Sequence, residues 1–261
     1  MLIRTKALLL NSIPVGESDL LAVFFTERLG KVRALAKGAL RSKKRFLGIL
    51  LNLNELEVEL AQTRGKEIEF RLSLADLLQS RLNLSRDPLR LGSAYALAEL
   101  AERAAPEQEP SAGLYRVLAR SIDDIQSKKN FREYCFHSLL TILSLLGYMP
   151  ALQNCAVCGK KLPAGQKSWF FSIERGGFVC EQDAKREANL MELSPGLAQS
   201  LSALGRPGGK GPARVRLSKK DFAAGVHLFF DFTAWHLGKP LNSLAFLKSF
   251  STPAGTVAAD N

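Results

Sequence analysis

Three thiols and one carboxylate stand at spacings that suit metal ligation. Cys155-Ala156-Val157-Cys158-Gly159 has the form of a zinc knuckle, in which the glycine lets backbone N–H groups approach the thiolates. Such a half-site calls for two further ligands roughly 12–20 residues on. Here Gly176-Gly177-Phe178-Val179-Cys180-Glu181-Gln182-Asp183 arrives after 21 intervening residues, with one cysteine, and Asp183 stands where a fourth is expected. Cys155, Cys158, Cys180 and Asp183 are therefore the candidate ligands of a structural zinc, since carboxylate oxygen also binds that ion. Glu181 or water can also fill the fourth position, and a metal-free ribbon with three thiols has the same sequence. Cys135 sits beside Phe136 in an apolar stretch and reads as core. A redox role for the Cys-x-x-Cys pair is disfavoured, because the pair does not follow a strand leading into a helix.

The second chemical signal is charge. The net charge is +11, which favours a polyanionic partner such as nucleic acid or an anionic membrane surface. Its distribution is uneven. Residues 28–45 hold eight Lys or Arg and no acid, and residues 205–220 hold six and no acid. Residues 81–150 are nearly balanced, with nine basic and eight acidic side chains. Charge that served only solubility would be spread along the chain, so two acid-free runs point to binding. The loop from Lys37 to Phe46 can follow a phosphate backbone, and Phe46 can stack on a base or equally anchor the loop in a core. Arg33, Lys37, Arg41, Lys43, Lys44 and Arg45 are the first-choice phosphate contacts.

Catalysis finds little support. The histidines are His137, His227 and His236, and the last two share an aromatic-rich stretch with Phe229, Phe230, Phe232 and Trp235, where packing explains them. No His-x-Glu precedes the Cys-x-x-Cys, which argues against a zinc deaminase. No Gly-x-x-x-x-Gly-Lys-[Ser/Thr] loop is present, which argues against an ATPase. The chain is expected not to be an enzyme, and a zinc-dependent one is the weakest reading.

These residues need a frame. With 261 residues, 46% hydrophobic and 23% charged, the chain is globular and long enough to bury a core without disulfides. No secretory signal or membrane span is expected, so the localisation implied is cytoplasmic, with reduced thiols. Residues 1–80 read as β. Ile3–Ile13, Leu20–Thr26 and Lys31–Lys37 are separated by turn signals, and Glu55–Leu60 and Glu67–Leu72 alternate strictly around a turn at residues 63–66. Five short strands suit a closed barrel such as an OB-fold, although an SH3-like barrel fits the pattern nearly as well. Residues 85–150 read as helical, opening at Asp87-Pro88 and closing at Gly147 before Pro150. Residues 151–185 are glycine-rich and strand-like around Ser168–Ile173, and helices resume at Ser194-Pro195 and at Lys219–His236.

Taken together, several of these segments resemble the RecO family. They are Ala7-Leu8-Leu9-Leu10 with Gly16-Glu17-Ser18-Asp19, Thr26-Glu27-Arg28-Leu29-Gly30-Lys31 with Lys37-Gly38-Ala39, and Leu145-Leu146-Gly147-Tyr148-Met149-Pro150 leading into Cys155 and Cys158. Lys239-Pro240-Leu241-Asn242-Ser243 with Phe246-Leu247 completes the set. The third is the most specific, and the order along nearly the whole chain matters more than any one motif. The resemblance implies an α+β protein: an N-terminal five-stranded OB-fold barrel at 1–80, a helical domain at 81–250 with a zinc-ribbon-like insertion at about 151–185, and a flexible tail at 251–261. It also implies a nucleoid-associated recombination mediator of the RecF pathway. Such a protein binds single- and double-stranded DNA, anneals complementary strands and helps load RecA onto SSB-coated DNA in repair. RecR and the acidic C-terminal tail of SSB are the implied protein partners, with no membrane. Arg116, Arg120, Lys128, Lys129 and Arg132 flank apolar positions and are candidates for docking an acidic peptide, although a solvated helix face reads the same way. Asp183 departs from the family pattern and bears on the metal alone. The alternative function is an RNA-binding or translation-associated protein, which also uses small barrels and zinc ribbons.

Overall fold

The computed structural model describes residues 1–251 except 43–45, 47, 64–67, 69, 164–167, 207 and 210. It divides into two compact units, Met1–Lys128 and Lys129–Asn261.

The first unit is built on a closed barrel. Its strands are β1 (Leu2–Val15), β2 (Asp19–Thr26), β3 (Gly30–Ala36), β4 (Glu55–Gln62) and β5 (Phe70–Gln79), in the order β1-β2-β3-β5-β4. All pairings are antiparallel except β3 with β5, which run parallel and meet only at Ala34 and Leu35. That order and that one parallel seam select the OB-fold over the SH3-like alternative. Strand β1 closes the barrel by serving two neighbours: its first half pairs with β4 and its second half with β2, with a register shift between Leu9 and Asn11. The bulge bends the strand enough for both pairings.

Alternation explains β4, where Leu56, Val58 and Leu60 are buried between half-exposed neighbours. The apolar runs Ala7-Leu8-Leu9-Leu10 and Val23-Phe24-Phe25 have a different cause. Ala7, Leu9 and Phe24 fill the barrel core with Val32, Ala34, Leu56 and Val58. Leu8, Leu10, Val23 and Phe25 are buried as well, on the outer face. Helices α1 (Pro88–Ala104) and α2 (Ala112–Ser127) lie against β1 and β2 and cover that face. A strand buried on both faces reads as a continuous apolar run.

Helix α1 starts where the sequence predicts. Asp87 caps it by accepting from the N–H groups of Leu89 (3.0 Å) and Arg90 (3.2 Å), with Pro88 in the first turn. The expected turn at 63–66 lies, apart from Thr63, outside the described residues. Strand β5 starts at Phe70 and runs to Gln79, well past the expected end at Leu72.

The second unit opens with α3 (Phe131–Leu145), which ends in a Schellman motif. Tyr148 N–H donates to the Leu143 carbonyl (2.7 Å) and Gly147 N–H to that of Ser144 (3.2 Å), with Gly147 at φ +82°. The motif Leu-Leu-Gly-Tyr is thus a helix stop, and the glycine is there because the left-handed position disfavours a Cβ. A three-stranded sheet follows, in the order β7-β6-β8: β6 is Trp169–Ser172, β7 Gly177–Val179 and β8 Leu190–Leu193. A one-turn helix α4 (Glu181–Ala184) links β7 to β8. Helices α5 (Pro195–Leu204), α6 (Lys219–His236) and α7 (Asn242–Ser251) complete the unit. Its core is aromatic, with Phe136 stacked on Phe222 and tilted against Phe229. Cys135 is buried. Of the expected tail, Ser251 is the last residue of α7, and residues 252–261 lie outside the described residues.

Candidate nucleic-acid interface and metal centre

The basic run begins on β3. Alternation turns Val32 and Ala34 into the core and leaves Arg33 exposed. Its guanidinium lies 3.2 Å from Glu107, in the segment between α1 and α2. Lys31, on the same strand, is buried; its Nζ donates to the Glu102 carbonyl (2.6 Å) and lies 3.6 Å from Glu107. Beyond β3 the chain turns at Gly38, whose N–H donates to Asp19 Oδ1 (2.8 Å), while Leu40 N–H donates to the Ser18 carbonyl. The segments Gly16–Asp19 and Lys37–Ala39 are therefore one joint. The Gly38 N–H, aided by the Ser18 hydroxyl, holds the Asp19 carboxyl below the usual carboxylate range. A 3₁₀ turn at Ala39–Arg41 places Arg41 outward, paired with Glu17 at 2.8 Å. Lys43, Lys44 and Arg45 lie outside the described residues. Phe46 is 3% exposed and belongs to the barrel core, so it anchors the loop.

Sequence reasoning missed Arg81, whose side chain is wholly buried. It donates to Asp123 (3.1 Å), Glu55 (3.3 Å) and the carbonyls of Leu53 (3.0 Å) and Ala119 (3.2 Å). Tyr115 donates to the other Glu55 oxygen at 2.6 Å, and burial, then that bond, push its hydroxyl pKa far up. The network joins β4 to α2. No spacing rule announces it, because its members come from three separate stretches of chain, around residues 53–55, at 81 and along 115–123.

The five cations expected to dock a peptide divide between the units. Arg116, Arg120 and Lys128 belong to the first, where Arg116 bonds the Ala112 carbonyl, and Arg120 and Lys128 both approach Asp124 (3.9 and 4.0 Å). Lys129 and Arg132 belong to the second, where Arg132 lies over the rings of Phe131 (4.9 Å) and Phe222 (5.7 Å). In that unit Arg206 and Arg214, from the second basic run, line a cleft of about 990 Å³ with Lys161.

The sulfur and carboxylate ligands converge. Cys155, Cys158, Cys180 and Asp183 each present one ligand atom, all within 4.8 Å of one another. Backbone bonds bring them there. Ala151 pairs with β7 through the Gly176 carbonyl and Phe178 N–H (both 2.9 Å), and Ala156 N–H donates to the Phe178 carbonyl (2.7 Å). This lays the knuckle along β7, which ends one residue before Cys180. Helix α4 then carries Asp183 back over the thiols: its Oδ2 lies 3.2 Å from Cys155 Sγ and 3.1 Å from Cys180 Sγ, and Cys158 and Cys180 are 4.0 Å apart. Tetrahedral zinc, with bonds of about 2.3 Å to sulfur and about 2.0 Å to oxygen, requires ligand separations of roughly 3.5–3.8 Å. The observed distances bracket that range, so the four residues fit a metal ion.

Burial pushes the Cys155 thiol up, but the N–H groups of Cys158, Cys180 and Val157 together outweigh it and lower its pKa. Cys158 is pushed up to about 11, chiefly by its bond to Asp183, and Cys180 is raised first by burial. Asp183 is held at about 2 by the thiols of Cys158, Cys180 and Cys155. The histidines are occupied elsewhere: His137 Nδ1 donates to the Leu204 carbonyl (3.0 Å) and His236 Nε2 to that of Ile173 (2.8 Å). Burial, then Lys248, lower the pKa of His227.

Fold and site together define an OB-fold protein whose barrel is followed by a helical unit holding a ribbon-type metal-ligand cluster. Comparison with known proteins gives the family. The model for the N-terminal part of recombination protein O matches residues 1–81, and that for its C-terminal part matches residues 85–245. The chain is 33% identical over 248 residues to the DNA repair protein RecO of Desulfatibacillum aliphaticivorans, covering 94% of this chain and 96% of that one. It is 32% identical over 256 residues to that of Geobacter metallireducens, with the same coverage. The chain belongs to the RecO family of DNA repair proteins. The two family models meet at residues 81–85, whereas the compact units meet at Lys128 and Lys129, because α1 and α2 cover the barrel. Among the described residues no helix is long and apolar enough to cross a membrane.

Proposed function

We propose that this chain is a DNA-binding recombination mediator of the RecF pathway. It pairs complementary single strands and helps load RecA onto SSB-coated DNA, with RecR and the acidic SSB tail as partners, and it makes and breaks no covalent bond. The observation that carries the reading is the acid-free run at residues 28–45, of which residues 30–36 form β3 of an OB barrel, in a RecO-family chain. Cations that neutralise phosphates release condensed counterions, so two strands can approach despite their repulsion. Arg33, Lys37, Arg41, Lys43, Lys44 and Arg45 are the proposed contacts, with the barrel at 1–80 holding DNA and residues 81–250 holding the partners. Arg116, Arg120, Lys128, Lys129 and Arg132 remain the proposed sites for acidic-tail docking. Zinc is the proposed ion at Cys155, Cys158, Cys180 and Asp183, where it would brace the ribbon against α4.

The test mixes two complementary strands with the full chain and no ATP. Pairing should speed up, and the gain should shrink as salt rises. Strands coated with the cognate SSB should still pair, and removal of the SSB tail should slow the coated reaction far more than the naked one. Failure of the folded protein to pair naked strands at low salt sinks the mediator reading. RNA competitors of matched sequence that displace the DNA at lower concentration favour an RNA-binding role. Metal analysis of protein purified without chelator should find about one zinc per chain.

A further inference from the structure

The barrel leaves one edge of its basic strand without a strand partner. Strand β3 meets β5 only at Ala34 and Leu35, so the half from Gly30 to Arg33 has β2 on one side alone. The segment between α1 and α2 occupies the other side. Glu107 forms a parallel bridge with Lys31, and Gln108 N–H donates to the Lys31 carbonyl at 2.9 Å. The approach is close: a Cβ on Gly30, which sits at φ +68°, would stand 2.0 Å from the Glu109 carbonyl oxygen. The segment is seated against the strand and aims one carboxylate at it. Glu107 Oε1 lies 3.2 Å from Arg33 and 3.6 Å from Lys31.

The two cations differ in what they can do. The Lys31 side chain is 10% exposed and committed to the Glu102 carbonyl, so it can hold Glu107 in place but cannot reach a strand. The Arg33 side chain is 61% exposed. It is the group a phosphate would reach, and the oxygen it meets first is that of Glu107. We propose that Glu107 competes internally with nucleic-acid phosphate for Arg33, keeping the barrel's hold on a strand short-lived.

This rests on the DNA-binding reading above and adds a reason for an acid beside the basic run. A protein that pairs strands must also let go of them. An exposed arginine–carboxylate pair is weak, of a size that changes an equilibrium by about two- to fivefold. It is too weak to block binding, yet it returns to Arg33 each time a phosphate leaves and so hastens release.

The experiment compares Glu107→Gln with Glu109→Gln in the full chain. Both remove one negative charge from the same segment, and Glu109 forms no ion pair among the described residues. A labelled oligonucleotide is bound at low salt, and its dissociation is followed after adding excess unlabelled strand. Glu107→Gln should slow dissociation about two- to fivefold, with Glu109→Gln close to the parent. The gain should vanish in an Arg33→Ala background, which a general loosening of the segment would not produce. Equal effects of the two glutamine variants reduce the result to net charge and overturn the proposal. So does an unchanged rate in Glu107→Gln, or a gain that survives Arg33→Ala. If the parent protein binds no oligonucleotide at low salt, the DNA-binding reading itself fails, a result distinct from the other three.

Discussion

The thiol–carboxylate cluster and the basic run are built on opposite principles. In the cluster, four ligand atoms lie within 4.8 Å of one another because backbone bonds fix two loops and a helical turn together. In the run, Arg33 and Arg41 sit on different elements and each meets a different acid, Glu107 or Glu17. Metal chelation is convergent, so each ligand is useful only while the others are in place. Phosphate binding is additive, with each cation contributing a modest share. The cluster should therefore fail steeply on one substitution and the run should weaken by degrees.

Arg81 is the hardest test of that distinction, because it shares a unit with the basic run but is built like the cluster. Replacing it with Ala leaves Glu55 and Asp123 without their buried cation and should cost about 3–5 kcal/mol in urea unfolding. Arg81→Met should cost less than Ala because it refills the volume. A small loss from Arg81→Ala would show that convergence does not make a site steep. Next in size is Cys155→Ser. Changes behind a metal ligand already cost about 10–100-fold in affinity, so losing the buried thiol should exceed that in chelator competition. Asp183→Cys should shift retention the other way, since thiolate is the softer and better structural ligand.

The run should respond more gently. Replacing Lys43, Lys44 and Arg45 together with Ala should leave the thermal midpoint nearly unchanged. The slope of log affinity against log salt should flatten by about one per lost phosphate contact, measured by fluorescence anisotropy. An unchanged slope would remove this loop from the interface. The smallest effect belongs to Asp19, at the joint that orients the loop. The folded protein holds its carboxyl below the ordinary value of about 3.9. Its stabilising contribution is therefore present above about pH 4 and lost as pH falls through the lowered value. Asp19→Asn should make the thermal midpoint less sensitive to acid over that interval, and identical pH profiles would show that the Gly38 bond contributes nothing.

What was legible in the sequence follows the same division. The strict alternation of β4 and the Asp87-Pro88 cap are local signals, and both appear where expected. The knuckle was legible because its spacing is itself the geometry. Strand β5 was cut short at Leu72 because Ser73-Leu74-Ala75-Asp76-Leu77-Leu78 breaks the alternation, with two register shifts against β4. Strand β8 is only four residues long and owes its existence to pairing with β6, so no local pattern marks it. The partners of Arg33 and Arg81 lie 26 to 74 residues away in sequence. Such pairings are tertiary, and a charge count reads those cations as free.

The Arg81 network also has a consequence for the order in which the chain can fold as it is made. All five barrel strands have left the ribosome once Gln79 emerges, but Arg81 then lacks Ala119 and Asp123, and the outer face of β1 and β2 lacks its helices. The nascent barrel therefore carries a buried cation only half matched, and exposed Leu8, Leu10, Val23 and Phe25, until α2 arrives. Domains tend to fold as units during synthesis. Here the unit that becomes protected is expected to be residues 1–128 and not the barrel alone. Stalled chains that expose residues 1–85 outside the ribosome should remain protease-sensitive, and those that also expose α2 should not.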